Sequence, residues 1–302
     1  MSTYYLADVF PQARRARIPF SRDQLMLLMA ALNELLLGLE TYLAHLISGT
    51  IVPYEWIPII FGPIAGVLLL LAGLLALRNR PLATVIANIV FLASIVVGLL
   101  GAYFHLIRAI LPWAPAGDIV SVPLFVWAPP ILGPLTFSLV GLLGISAAWR
   151  EVPPDSGRLL LLGNHSIRLP YSKTRAYFFI VSMGALATVI SSVLDHARTN
   201  FENPWLWLPT GIGVFGTVVA ATLGAEKKPG RWDLVTYIAA MVLMIGVGVL
   251  GSALHIQQNL TSQGQIVSER FVRGAPFLAP MLFSDIGTIG LLVLMNPQEK
   301  EE

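Results

Sequence analysis

Long apolar runs alternate with short, polar, basic breaks along almost the whole chain. Crossing a bilayer as a helix takes about 20 mostly apolar residues. Eight stretches meet that length: 25–47, 56–77, 82–107, 123–148, 176–194, 205–225, 234–256 and 274–295. Runs such as Val67 to Leu77 and Ile86 to Gly101 are apolar on every side. A membrane strand would alternate with a period of two, so the pattern predicts helices. The breaks divide the chain into a basic segment 1–24, four spans over 25–148, a linker 149–175, four more spans over 176–295 and a tail 296–302.

The two groups of spans repeat each other. Shifted by 151 residues, RIPFSR at Arg17–Arg22 falls on RLPYSK at Arg168–Lys173, and Pro53, Trp56 and Pro58 fall on Pro204, Trp207 and Pro209. His45 falls on His196 at the same shift, and a shift of 150 brings Gly101 and His105 onto Gly251 and His255. A shift of 146 aligns APPILGPLTFSLVGLLG from Ala128 with GAPFLAPMLFSDIGTIG from Gly274. Four spans per copy is an even number, so the second copy enters the membrane in the same direction as the first. The expected fold is an all-α integral membrane protein of eight transmembrane helices, a tandem parallel duplication of a four-helix unit.

Charge gives the expected orientation. Of 19 Lys and Arg, 15 fall in the breaks on one side and 4 (Arg108, Arg198, Arg270, Arg273) on the other. Positive charge is retained in the cytoplasm, which predicts both termini there. Trp56, Trp113, Trp205 and Trp207 then form an outer aromatic belt. The first span reads as an uncleaved anchor, with Arg14-Arg15 part of the positive-inside signal. The expected location is a bacterial inner membrane, with lipid as the main partner. Topology accounts for the basic residues, so no nucleic acid is needed.

Composition narrows the chemistry. The 302 residues are 56% hydrophobic and 12% charged, against about 25% charged in soluble domains. This excludes a disordered chain and a conventional soluble enzyme. With no cysteine there is no thiolate-held cluster, c-type haem attachment or Cys-based zinc site. No phosphate-binding loop, nucleophile–base pair or metalloprotease pattern is present, so a non-enzymatic role is expected.

Four of the five histidines belong to the repeat. His45 and His196 close the first span of each copy, and His105 and His255 close the third. One reading pairs His45 with His105 and His196 with His255 as axial ligands of haem b near the outer face; a quinone contact is another, and capping of helix-end carbonyls a third. Helical spacing puts Gly98 and Gly101 below His105, and Gly248 and Gly251 below His255. These glycines predict either a groove for a flat ligand or close helix packing. Pro130 and Pro134, like Pro276 and Pro280, should kink or unwind the entry to each last span.

The copies differ in their acids. Glu34, Glu40 and Asp285 match Ala185, Ser191 and Leu139, and Asp195 matches Ala44. Carboxylates inside a membrane are costly and are functional candidates by default. Glu34, Gly38, Thr41 and His45 share one helix face, a candidate proton path, and a protonated acid within a helix interface is the alternative.

Two four-helix halves with paired histidines give the chain a layout that resembles haem A synthase. The resemblance implies a haem-handling membrane protein. This chain lacks that family's outer-loop cysteines and the glutamate beside its histidines, so no residue role is carried across. The leading expectation is a membrane subunit of an electron-transfer system that binds haem b or quinone and works with other membrane or extracytoplasmic redox subunits. A small-solute or ion transporter using Glu34 and Asp285, or a membrane anchor for a partner enzyme, are the alternatives.

Overall fold

The computed structural model describes residues 5–15, 19–47, 49–114, 117, 121–161, 165–261 and 269–297; Arg17, Leu162 and Lys300 of the sequence patterns lie outside them. The protein is built of α-helices. In chain order these are α1 (Tyr5–Val9), α2 (Arg22–Leu46), α3 (Trp56–Leu75), α4 (Arg80–His105), α5 (Val122–Trp127), α6 (Leu132–Ala148), α7 (Lys173–Ala197), α8 (Trp207–Ala225), α9 (Arg231–Thr261), α10 (Arg270–Arg273) and α11 (Met281–Val293). Six helical segments among the described residues, those containing α2, α3, α4, α7, α8 and α9, are long and apolar enough to cross a membrane. The chain is an integral membrane protein by this measure. On α4 a stripe of Ile89, Leu92, Val96, Leu99 and Tyr103 is more than half exposed, a face for lipid contact.

The last apolar stretch of each group is shorter than the sequence predicts. α6 has 17 residues and α11 has 13, roughly 25 and 20 Å of helix against a hydrocarbon core of about 30 Å. The cause is proline. Helix does not run through Pro130 or through Pro276 and Pro280; it starts at Leu132 and at Met281.

Local signals set the long helices. Ser21 caps α2: its Oγ accepts from Gln24 N at 3.3 Å while the Gln24 side chain accepts from Ser21 N at 2.8 Å. Ser172, the matching residue of the second group, caps α7 through Arg175 N at 3.4 Å. These caps start both helices three residues before the apolar runs do.

Within each group the helices pack in a closed ring. α2 meets α3, α3 meets α4, α4 meets α6, and α6 returns to α2; α7, α8, α9 and α11 do the same. Hence α2 and α4 stand diagonally opposite across the first ring. The two groups meet through α6 against α7 and α11 against α2.

Corresponding residues make corresponding contacts. A methyl group at Gly98 would lie 2.6 Å from Ser138 N and 2.8 Å from Pro134 O. At Gly248 it would lie 2.6 Å from Ser284 N and 2.8 Å from Pro280 O. Ser138 Oγ donates to Ile95 O and Ser284 Oγ to Ile245 O, both at 2.9 Å.

Two regions depart from expectation. The linker carries a small antiparallel sheet, β1 (Arg150–Glu151), β2 (Arg158–Leu160) and β3 (Ser166–Arg168), with Leu159 buried beneath it. The apolar patch read at Leu159–Leu162 is therefore partly a strand. The N-terminal segment, read as polar throughout, docks through α1. Tyr5, Ala7 and Val9 are buried, and Leu6 N donates to Leu294 O at 2.9 Å.

Candidate functional site

Two places in the fold bring the sequence candidates together: the end of the molecule where the histidines lie, and the interface between the two rings. At the histidine end, α2 carries His45 and α4 carries His105. Their rings lie 6.3 Å apart, centre to centre, with planes at 60°. Each Nδ1 is tied to a carbonyl, His45 to Thr41 O at 2.7 Å and His105 to Pro130 O at 2.9 Å. A carbonyl accepts, so Nδ1 carries a proton in both rings. Metal-binding histidines are fixed in the same manner. The Arg108 guanidinium stands 4.1 Å over the Tyr54 ring at this end.

The unwound entries to α6 and α11 explain the carbonyl partners. Pro134 and Pro280 have no N–H to give to the carbonyls four residues before them, those of Pro130 and Pro276. His105 fills that need at Pro130, and His255 fills it at Pro276, with Nδ1 2.8 Å from the carbonyl. In the second ring Ser252 Oγ donates to Phe277 O at 2.7 Å, and Asn259 makes two bonds of 2.9 Å with the backbone of Ala275. The sequence analysis did not single out Ser252 or Asn259. Their signal was only a polar residue within a turn or two of His255 on an apolar helix.

In the second ring His196 and His255 interact electrostatically, but their rings have other neighbours. His196 meets the Phe201 ring edge-on at 6.1 Å, and Phe201 stacks on Trp207 at 4.4 Å. No His196–His255 ring contact is found among the described residues. Phe201 falls where the first copy has Thr50, so an aromatic ring fills the space beside His196. Asp195 is half-buried and pairs with Arg198 at 3.8 Å.

The glycine grooves are closed. Pro134 and Ser138 fill the space at Gly98 and Gly101, and Pro280 and Ser284 fill it at Gly248 and Gly251. A flat ligand does not enter there, because the fourth helix of each ring packs backbone against backbone. The helix face from Glu34 to His45 is likewise interrupted at Gly38, which presses on Pro63 and Gly62.

Glu34 is fully buried. Ser94 Oγ lies 2.5 Å from Glu34 Oε1 and 2.8 Å from Phe137 O, and Glu34 Oε2 has no partner among the described residues. One hydroxyl proton cannot serve both acceptors well. A carboxyl that keeps its proton donates to Ser94, which then donates to Phe137 O. Glu40 is half-buried and makes no hydrogen bond among the described residues.

At the interface, Asp285 Oδ2 accepts from Asn33 Nδ2 at 2.9 Å. Both line a cavity of about 210 Å³ between α2, α6, α7 and α11, whose other walls are mostly aliphatic. Toward the basic end, the interface holds a buried charge cluster. Lys173 Nζ lies 2.6 Å from Asp23 Oδ2, Arg22 Nε lies 3.1 Å from Asp23 Oδ1, and Arg22 Nη1 donates to Thr174 Oγ1 at 2.7 Å. Tyr177 OH also donates to Asp23, at 3.1 Å. Sequence analysis counted Arg22 and Lys173 as loop charges; both side chains are 1% exposed.

No cluster of three or more His, Cys, Asp or Glu suited to a metal ion occurs among the described residues. A bare zinc ion takes three or four protein ligands, whereas haem iron has four from its macrocycle and needs one or two. Two metal–nitrogen bonds of about 2 Å, with about 1 Å from each nitrogen to its ring centre, span roughly 6 Å. The His45–His105 spacing fits that span. No family model, curated protein or solved structure matches the chain.

Proposed function

We propose that this protein is a membrane subunit of an electron-transfer system, with His45 and His105 as the axial ligands of one haem b. The observation that carries the reading is the ring separation of 6.3 Å between histidines of diagonal helices, both held by carbonyls at Nδ1. Bundle cores build cofactor sites in this way, from side chains on facing helices. A haem bound there would supply one-electron transfer. The chain's own part would be to orient the two imidazoles through the carbonyls of Thr41 and Pro130. Such a subunit would pass electrons to or from other membrane or extracytoplasmic redox proteins.

The reading includes eight membrane crossings, with α6 and α11 as shortened spans completed by their unwound entries. It also includes descent of both rings from one duplicated four-helix unit. The contacts at Gly98 and Gly248, and at Ser138 and Ser284, support the duplication. So do the reciprocal bonds across the interface. Arg22 meets Thr174, and their repeat equivalents Lys173 and Asp23 meet each other. Such reciprocity is what a two-fold relation would produce. The basic end faces the cytoplasm of a bacterial inner membrane in this reading.

An absorption spectrum of the purified protein tests the function. A low-spin b-type band is expected, and a colourless preparation from haem-replete cells would reject it. Asp285 beside a cavity favours a second reading, a small-solute or ion transporter. That reading expects uptake by proteoliposomes that Asp285→Asn abolishes.

A further inference from the structure

We infer that the cavity between the two rings is a binding site for the ring of a lipid-soluble quinone, held by Asp285 and Asn33. The inference rests on the electron-transfer reading for the redox character of its ligand and on the cavity for everything else. The cavity lies where the two-fold relation between the rings places its axis. On one side Asn33 of α2 meets Asp285 of α11. Their repeat equivalents are Gly184 of α7 and Leu139 of α6, and these meet each other on the other side, with Leu139 Cδ2 3.1 Å from the position of a methyl at Gly184. Both pairs line the same cavity. Packing on that side is therefore achieved by apolar side chains, Leu139 and Ile286, against a glycine. The polar pair is not needed to close the interface, and a carboxyl within an apolar membrane interior is costly. Its presence on one side only points to an asymmetric ligand.

The chemistry of that ligand follows from the walls. Asn33 occupies Asp285 Oδ2, which leaves Oδ1 for the cavity. A carboxyl group donates when protonated and accepts when not. It therefore suits a ligand whose oxygen is a carbonyl acceptor in one state and a hydroxyl donor in the other, as in a quinone and its quinol. The aliphatic walls, among them Leu139, Val140, Ile180 and Ile286, suit a flat apolar ring. An apolar cavity of about 150 Å³ accepts benzene. One of about 210 Å³ accommodates a ring with two oxygens and small substituents. Met183 on the rim is 46% exposed, so the cavity reaches the lipid-facing surface from which such a ligand arrives.

The test uses the full chain in detergent and a short-tailed benzoquinone as titrant, with binding read by calorimetry. The wild type is expected to bind saturably. The double variant Asn33→Gly with Asp285→Leu copies the other side of the axis, so its packing has a precedent in the same molecule. It should bind at least tenfold more weakly. Leu139→Phe, which fills the cavity and leaves the polar pair in place, should also bind at least tenfold more weakly. Absence of saturable binding by the wild type, or unchanged affinity in both variants, would overturn the inference. Haem absorbance in the same preparations separates the two readings. A colourless protein that binds the quinone through Asp285 rejects the haem and keeps this site; a coloured protein that binds none does the reverse.

Discussion

Single residues carry opposite meanings in this chain depending on what faces them, and the glycines show it. Gly98 and Gly248 lie under backbone atoms of the fourth helix, whereas a methyl at Gly73 or Gly246 would meet nothing within 4 Å. Sequence spacing could place these glycines on a face with the histidines but not say whether that face met protein or ligand. Gly98→Ala and Gly248→Ala should each cost about 1–3 kcal/mol through overpacking, and Gly73→Ala and Gly246→Ala should be close to neutral. Thermal unfolding in detergent checks this, and similar stabilities for all four variants would show that the close packing is wrong. The acids divide in the same manner. Glu34 is enclosed with Ser94, while Asp285 opens on a cavity. In the sequence they are two carboxylates in apolar runs and look alike.

At the scale of the element, the long helices were legible because their apolar runs are long, whereas their capped starts after Ser21 and Ser172 were not. The fourth helix of each ring was legible only in part. Its prolines announced a break but not which groups would satisfy the freed carbonyls, since those come from α4 and α9, far along the chain. Asn259 is the clearest case, with both its amide groups bonded to Ala275. Asn259→Ala should leave those backbone groups unpaired, at about 1–3 kcal/mol. Limited proteolysis should then cut the stretch 274–280 faster than in the wild type, with α8 unaffected. Equal cleavage rates would mean that Asn259 does not hold this turn. Helix ends also moved against the apolar pattern. α2 and α7 begin on charged residues, because each charge finds a partner across the interface.

At the scale of the whole molecule, the repeat was the strongest signal in the sequence, yet the way the halves meet was not in it. Arg22 and Lys173 looked like cytoplasmic anchors because a linear pattern cannot show that both reach the same carboxylate, Asp23, inside the interface. Breaking a buried ion pair by removing one partner costs about 3–5 kcal/mol, and replacing the pair by apolar residues costs less. Asp23→Leu should therefore destabilise the protein strongly, and adding Lys173→Met should recover part of the loss. Unfolding midpoints of the single and double variants measure this. A double variant worse than the single by the full cost of Lys173→Met alone would show that the two residues act independently.

The same comparison of halves bears on the central claim. Among the described residues His45 and His105 are in ring contact, whereas His196 has Phe201 against it and meets His255 only through electrostatics. One haem per chain is therefore expected, held in the first ring. The most direct measurement is haem content per polypeptide, by extraction and absorbance, in the wild type and in four single His→Ala variants. The predicted result is about one haem per chain in the wild type, none after His45→Ala or His105→Ala, and an unchanged content after His196→Ala or His255→Ala. No haem in the wild type, or a content that falls equally in all four variants, would contradict it.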